Sequence, residues 1–320
     1  MAKFTYDIVG IGNAIVDVIA PCSDAFIDEF EMSRGGMRLI DRQQAETLLA
    51  RMPKGHETPG GSAANTLAGL AQLNLKCAFI AQVANDRLGQ VFAKGMTSMG
   101  IHFETPMVES GEGTGRCLIC VTPDGERTMN TFLGDGQSLC ASAISEELIV
   151  SSAILYLEGY LWDPLEPRKA MQHAINIAQK SGTKVAFTAS ETFIIEQHRE
   201  DFRDMLNKNL FDILFLNDHE LASLTECSDF EEGVDLLSTK VPSLVVTRGK
   251  DGAMAVVHGE RVDVSAVPVS QVVDTTGAGD QFAAGFLAGY AKGAPPLRCL
   301  KQGAIAAAEV ISHFGPRSEV

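Results

Sequence analysis

The sequence predicts an α/β protein: a mostly parallel sheet with helices on both faces, joined by a small β-sheet lid. Three observations carry this. From residue 154 onward, short apolar runs alternate with longer segments of helical spacing, the texture of repeated βα units. Across residues 101–136 the texture changes to brief β-rich runs separated by turns. Glycine-rich turns stand where strand-like runs pass into helices, and open parallel sheets bind ligands at such places. With 320 residues, 45% of them hydrophobic, the chain can bury one large core and still supply an appendage.

Taken in order, residues 7–12 read as a buried strand ending in glycines. Asn13 and Asp17 follow as polar groups at its exit, where Asn and Asp also serve simply as turn formers. A dinucleotide-binding fingerprint is rejected here, because its third glycine would fall on Ile15. Residues 37–40 resemble a strand and 43–51 a helix. Pro59-Gly60-Gly61-Ser62 then opens a helix of very small residues that contains Asn65. That junction suits close approach of backbone to ligand, or is an ordinary loop with Ser62 as cap. Residues 76–83 form a strand, and 85–89 open a helix running to about residue 99.

Runs 116–121 and 127–132 flank Asp124-Gly125, a hairpin signal that fits the lid. Arg127, at the hairpin's return, points either at a ligand or into solvent. Residues 154–158, 184–188 and 211–217 are strands, with helices over 167–181 and 196–207. Asn217 and Glu220 lie at a strand's carboxyl end, where they also make an unexceptional helix cap. Residues 243–254 are a strand, a glycine turn and another strand, and 296–312 an alanine-rich helix.

A net charge of −15 argues against nucleic acid, whose phosphates require a basic surface. No apolar stretch approaches the roughly 20 residues of a membrane helix, and the first residues run into a strand without a signal-peptide core. Seven cysteines, an odd number in apolar contexts, fit a reducing compartment, most simply the cytoplasm. Cys117 and Cys120 have CxxC spacing but no second pair, and read as buried thiols rather than zinc ligands.

The chain is organised around residues 272–286. An apolar approach enters the turn Asp274-Thr275-Thr276-Gly277-Ala278-Gly279-Asp280, and the turn opens a helix whose Phe282, Phe286 and Tyr290 share one face. The glycines expose backbone N–H groups which, with the helix dipole, favour an anion such as phosphate. A carboxylate in the first helical turn is stabilised as the anion, so Asp280 stands ready to accept a proton. Phosphate donors beside a proton acceptor are the parts needed to move a phosphoryl group onto a hydroxyl. No Gly-x4-Gly-Lys-Ser/Thr occurs, so a P-loop kinase is not expected.

This string, with Phe282-Ala283-Ala284-Gly285-Phe286 after Gln281, resembles the C-terminal motif of the ribokinase-like (PfkB) carbohydrate and nucleoside kinases. Gly60, Gly61 and Asn65 match the family's N-terminal motif, Asn217 and Glu220 its third, and Thr247, Gly249 and Gly252 its nucleotide turn. The resemblance implies a three-layer α/β/α kinase domain over 1–14, 59–100 and 137–320, and a β lid over 15–58 and 101–136. It implies Asp280 as catalytic base and Gly277, Ala278 and Gly279 as the anion hole. Asn13, Asp17, Gly60, Gly61, Asn65 and Arg127 would serve the substrate, and Thr247, Gly249 and Gly252 the ATP. Asn217 and Glu220 would support Mg²⁺ through water, and Asp274 and Thr276 a monovalent cation such as K⁺. The closing alanine-rich helix would lie against the adenine ring.

The segment through Asn13 and Asp17, the run 24–30 and the Gly-Gly-Ser start look most like adenosine kinases, although those usually carry Gln-Asn-Ser where Ala64-Asn65-Thr66 stands. A second departure is the missing glycine before Asp86, where Gln82 and Ala84 stand. Adenosine is therefore the first expected substrate, with ribose, fructose or a keto-deoxy sugar second. A non-catalytic binding protein on the same fold is the alternative of another class, and loss of the base would be its mark. The expected partners are small molecules, without nucleic acid or membrane, in a monomer or a lid-mediated homodimer.

Overall fold

Strand runs such as Ile213-Leu214-Phe215-Leu216 are apolar at every position, the pattern of a strand covered on both faces, and the fold obeys it. The structure, a computed structural model, describes residues 4–317. β1 (Tyr6–Ile11) leads into β2 (Ile15–Pro21), α1 (Asp24–Glu29), β3 (Met37–Leu39), α2 (Arg42–Arg51) and β4 (His56–Gly60). Next come α3 (Ser62–Gln72), β5 (Cys77–Ile80), α4 (Arg87–Ser98), β6 (Gly115–Val121) and β7 (Arg127–Phe132). Alternation then sets in with α5 (Glu146–Val150), β8 (Ser152–Glu158), α6 (Leu165–Ser181), β9 (Lys184–Thr188) and α7 (Thr192–Asn207). β10 (Ile213–Asn217), α8 (Asp218–Thr225), α9 (Phe230–Ser238), β11 (Ser243–Thr247), β12 (Ala253–Val257) and β13 (Glu260–Val264) continue it. Finally α10 (Ala278–Ala291) and α11 (Pro296–Val310) pack together.

The eight-stranded sheet has the order β13-β12-β11-β10-β9-β8-β1-β5. Its strands run parallel from β5 to β11, and β12 and β13 are antiparallel at one edge. Because side chains alternate along a strand, neighbouring residues feed two cores. Ile8, Ile154 and Phe215 join Leu67 of α3 and Phe286 of α10 on one face. Val9, Leu155 and Leu214 join Ile175 of α6 and Phe202 of α7 on the other. The result is a mixed α/β, ribokinase-like fold with three layers. No helix among the described residues is long and apolar enough to cross a membrane.

The second sheet, β3-β7-β6-β2-β4, is the small one. Its first strands leave the main sheet just after β1 and return through Gly60 into α3. Residues 101–114 run beside the main sheet before the hairpin begins: Ala78 bridges His102 and Ala84 bridges Val108. All seven cysteines are free, with Cys117 and Cys120 buried on β6.

Candidate active site

The site forms where α3 and α10 both begin at the carboxyl ends of the main strands, beneath the small sheet. Gly61 caps α3 at φ 101°, a conformation that glycine adopts without strain, and a Cβ there would strike the Asn13 carbonyl. At Gly60 a Cβ would lie 2.5 Å from Asp17 Oδ2, so the missing side chain makes room for that carboxylate. Gly277, at φ 77°, caps α10 under Pro316. Gly279 faces open space, and as the second residue of α10 it carries a first-turn N–H. Ala278 N–H donates to Thr275 O at 3.2 Å, so one of the three amides expected in the anion hole is engaged within the turn.

Asp280 is the third residue of α10. Ser62 Oγ donates to its Oδ1 at 2.6 Å and Asn65 Nδ2 to its Oδ2 at 3.2 Å. Burial pushes the Asp280 carboxyl up to about 6, opposed by these two donors and by the Arg317 cation. The helix start alone argued for a readily ionised group, and loss of solvent outweighs it. Asp17 is likewise pushed to about 6 by burial, against the attraction of Arg317 and Arg127.

A cavity of about 740 Å³ gathers Asp17, Gly61, Asn65, Asn217, Glu220, Thr247, Thr276, Gly277, Ala278, Gly279 and Asp280. Met37, Cys117, Ile119 and Met129 of the small sheet supply an apolar wall to the same cavity. An adjoining cavity of about 650 Å³ holds Thr247, Gly249 and Gly252. Val267, Pro268, Ala304, Ala307, Ala308 and Ile311 also line it. The two share Thr247, Thr275, Ala278, Gly279 and Phe282, so the phosphate-like turn sits at their junction.

Four predicted residues stand behind these surfaces. Asn13 turns its Nδ2 to Glu158 Oε1 at 2.8 Å instead of toward the cavity. Gly60 gives way to Asp17. Arg127 is neither solvated nor free: its Nη1 pairs with Asp274 Oδ2 at 2.9 Å, and its guanidinium covers the Phe314 ring. Asp274 takes Thr276 N and Oγ1 on Oδ1, and Gly315 N on Oδ2 beside Arg127. Burial works to raise its pKa, but those donors and the Arg127 cation hold it below the usual carboxylate range. Asn217 and Glu220 make the capping box in full, with bonds of 2.8 to 2.9 Å, and burial pushes Glu220 up to about 7.

Sequence reasoning missed Glu158, Ser62's bond to Asp280, and Arg317. Glu158 is fully buried and accepts from Asn13 N, Asn13 Nδ2 and Ala63 N at 2.7 to 2.8 Å, tying the Asn13 turn to α3. Burial pushes it up to about 7. Its signal was legible: a lone glutamate ends the apolar run of β8. Arg317 Nε donates to Asn65 Oδ1 at 2.9 Å, and no sequence pattern announced it.

Comparison with known proteins places this architecture. A solved adenosine kinase from Sinorhizobium meliloti superposes with a TM-score of 0.90 and 41% identity, covering 100% of this chain and 97% of that one. A probable sugar kinase from Rhizobium etli CFN 42 does so with a TM-score of 0.90 and 38% identity, covering 99% and 96%. A fructokinase from Klebsiella pneumoniae is 27% identical over 239 residues, 73% of this chain and 78% of that protein. Residues 25–320 match the profile of the pfkB family carbohydrate kinases. The chain belongs to that family, and it is a carbohydrate/nucleoside kinase.

Proposed function

We propose that the protein transfers the γ-phosphoryl group of Mg·ATP to a primary hydroxyl of a nucleoside, adenosine before others, with Asp280 as general base. The observation that carries this reading is one cavity lined by both hydroxyl-binding polar groups and an apolar patch. Asp17, Asn65 and Asp280 can take the hydroxyls of a ribose. Beside Asp17 on the small sheet, Met37, Cys117, Ile119 and Met129 suit a flat apolar heterocycle, which a free sugar would leave uncovered.

The residues present fit the nucleotide. The alanine face of α11 and Val267-Pro268 offer a smooth slot for a planar ring, and Gly279 leaves backbone exposed at the slot's inner end. Kinases of this family use ATP with Mg²⁺, and the bound nucleotide supplies the phosphoryl group and the metal part of its charge neutralisation. Asn217 and Glu220, already bonded to each other, suit a place behind the metal's water shell rather than direct ligation. Thr247, Gly249 and Gly252 border the slot. A monovalent cation at Asp274 and Thr276 would have to displace Arg127, so we assign the cation's place there to the guanidinium.

Asp280, with a pKa near 6, is mostly ionised at neutral pH yet close enough to it to hold a proton taken from an alcohol. Asp17 orients the acceptor, and the small sheet excludes water above it. Gly277 and Gly279 amides, with the N-terminus of α10, stabilise charge on the transferring group.

A sugar acceptor is the second reading, favoured by the same Asp17 and Asn65, since any polyol offers them hydroxyls. The test is ADP release with Mg·ATP over adenosine, other nucleosides, ribose, fructose and a keto-deoxy sugar, in Na⁺ and in K⁺. Turnover on adenosine far above the sugars, equal in both salts, is the expected result. Turnover confined to a sugar would overturn the substrate, and silence throughout would favour a binding protein.

A further inference from the structure

The segment following α11 is fastened to three separate parts of the site. Gly315 N donates to Asp274 Oδ2 at 2.9 Å, and Pro316 O accepts from Gln281 Nε2 at 3.0 Å. Arg317 Nε donates to Asn65 Oδ1 at 2.9 Å. Gln281 Nε2 also reaches Asn65 O at 3.1 Å, so Asn65 is held through both its main chain and its side chain. The Arg317 guanidinium points inward: its Nη2 is shut off from solvent and has no hydrogen-bond partner among the described residues. Burial pushes it down to about 10, which leaves it charged at neutral pH between the fields of Asp17 and Asp280.

We propose that Arg317 is a positioning residue for phosphoryl transfer: it fixes the orientation of the Asn65 amide toward Asp280 and supplies the buried cation that balances Asp17 and Asp280. This rests on the assignment of Asp280 as base. A guanidinium can only donate, so the Asn65 oxygen must face Arg317. The Asn65 NH₂ must then face Asp280, and it serves the ionised carboxylate as a donor. With no donor on its far side, the amide is free to rotate by half a turn and present its oxygen, which favours the protonated acid instead. Loss of the guanidinium therefore acts twice in one direction, through the lost charge and through the freed amide.

Asp280 is faced by Ser62 and Asn65 of α3, by Tyr156 and Glu158 of β8, by Tyr160 after it, and by Arg317. Asp17 of β2 lies in the field of both Arg317 and Arg127. Among these groups the arginines are the fixed cations. Only Arg317 is among the influences on Asp280 itself.

The test compares wild type with Arg317→Met and Arg317→Lys, in two readouts: the acidic limb of kcat/KM against pH, and the carboxyl titration of Asp280 by carbon-13 NMR in the ligand-free protein. Asp280→Asn assigns the resonance. Arg317→Met should move both upward by about one pH unit, a tenfold change in the ionisation equilibrium, and lower kcat about tenfold. Arg317→Lys, which keeps the charge but loses the fork, should fall between the other two. An Asp280 titration unchanged in both variants overturns the role of Arg317 while leaving the base assignment intact. Full turnover in Asp280→Asn would instead remove the base assignment itself, and with it the catalytic meaning of any shift.

Discussion

Ser62 and Asp280, 218 positions apart in the chain, meet through a hydrogen bond of 2.6 Å, the Ser62 hydroxyl donating to Oδ1. The hydroxyl is available because Ser62 is the first residue of α3 rather than its cap, a place taken by Gly61. Ser62→Ala removes a donor that favours the ionised form, so the Asp280 pKa should rise further. We expect an upward shift of the acidic limb of kcat/KM and a fall in kcat of about fivefold, in line with roughly 1 kcal/mol for a lost hydrogen bond. A pH–rate profile reads both quantities.

Gly60→Ala should injure acceptor binding and spare the nucleotide. The added methyl would press on the Asp17 carboxylate, whose oxygens lie 2.5 to 2.6 Å from the Cβ position. Overpacking of this kind costs about 1–3 kcal/mol. The acceptor KM should therefore rise tenfold or more, while ATP affinity measured by calorimetry stays within about twofold.

Asp274→Ala should destabilise the protein by about 3 kcal/mol, because it strands a buried cation. Arg127, on β7, would lose its partner in the turn before α10, and the N–H groups of Thr276 and Gly315 would lose theirs. Urea unfolding measures the loss. A change below about 0.5 kcal/mol would mean that the pair behaves as a surface ion pair.

Four carboxyls withdrawn from bulk water, Glu158 and Glu220 buried and Asp17 and Asp280 half-buried at the cavity wall, set a pH dependence of stability. Asp17 and Asp280 sit at about 6, and Glu158 and Glu220 at about 7, all raised chiefly by burial. Their native state binds protons more tightly than the unfolded chain, whose values are near 4. The stability they contribute is full below those unfolded values and is lost as pH rises through the folded ones. The melting temperature of the ligand-free protein should therefore fall between about pH 5 and pH 7.5. Asp280→Asn should make that slope shallower. A melting temperature that climbs across this range would contradict the burial of these groups.

Much of this was legible in the sequence because the decisive patterns are local. Apolar runs at 213–216 and 154–157 announce strands covered on both faces, and Asp124-Gly125 announces the hairpin between β6 and β7. The turn 274–280 can be read as a phosphate-like site from its own residues. What stayed hidden depends on distant contacts. Arg127 reads as a free arginine until Asp274, from a distant part of the chain, arrives at 2.9 Å. Asn13 reads as a ligand-facing group until buried Glu158 claims its amide. The direction of the Asp280 pKa was obscured for the same reason: the helix start is written locally, whereas the burial that outweighs it is assembled by α3, β8 and the segment after α11.

The most direct test of the central claim is turnover by Asp280→Asn, measured as ADP release with Mg·ATP and adenosine, alongside nucleotide affinity by calorimetry. The expected result is a loss of turnover of about a thousandfold or more with ATP affinity within a few-fold of wild type, since the carboxylate acts on the acceptor's proton. Turnover close to wild type in that variant would contradict the assignment of Asp280 as the base.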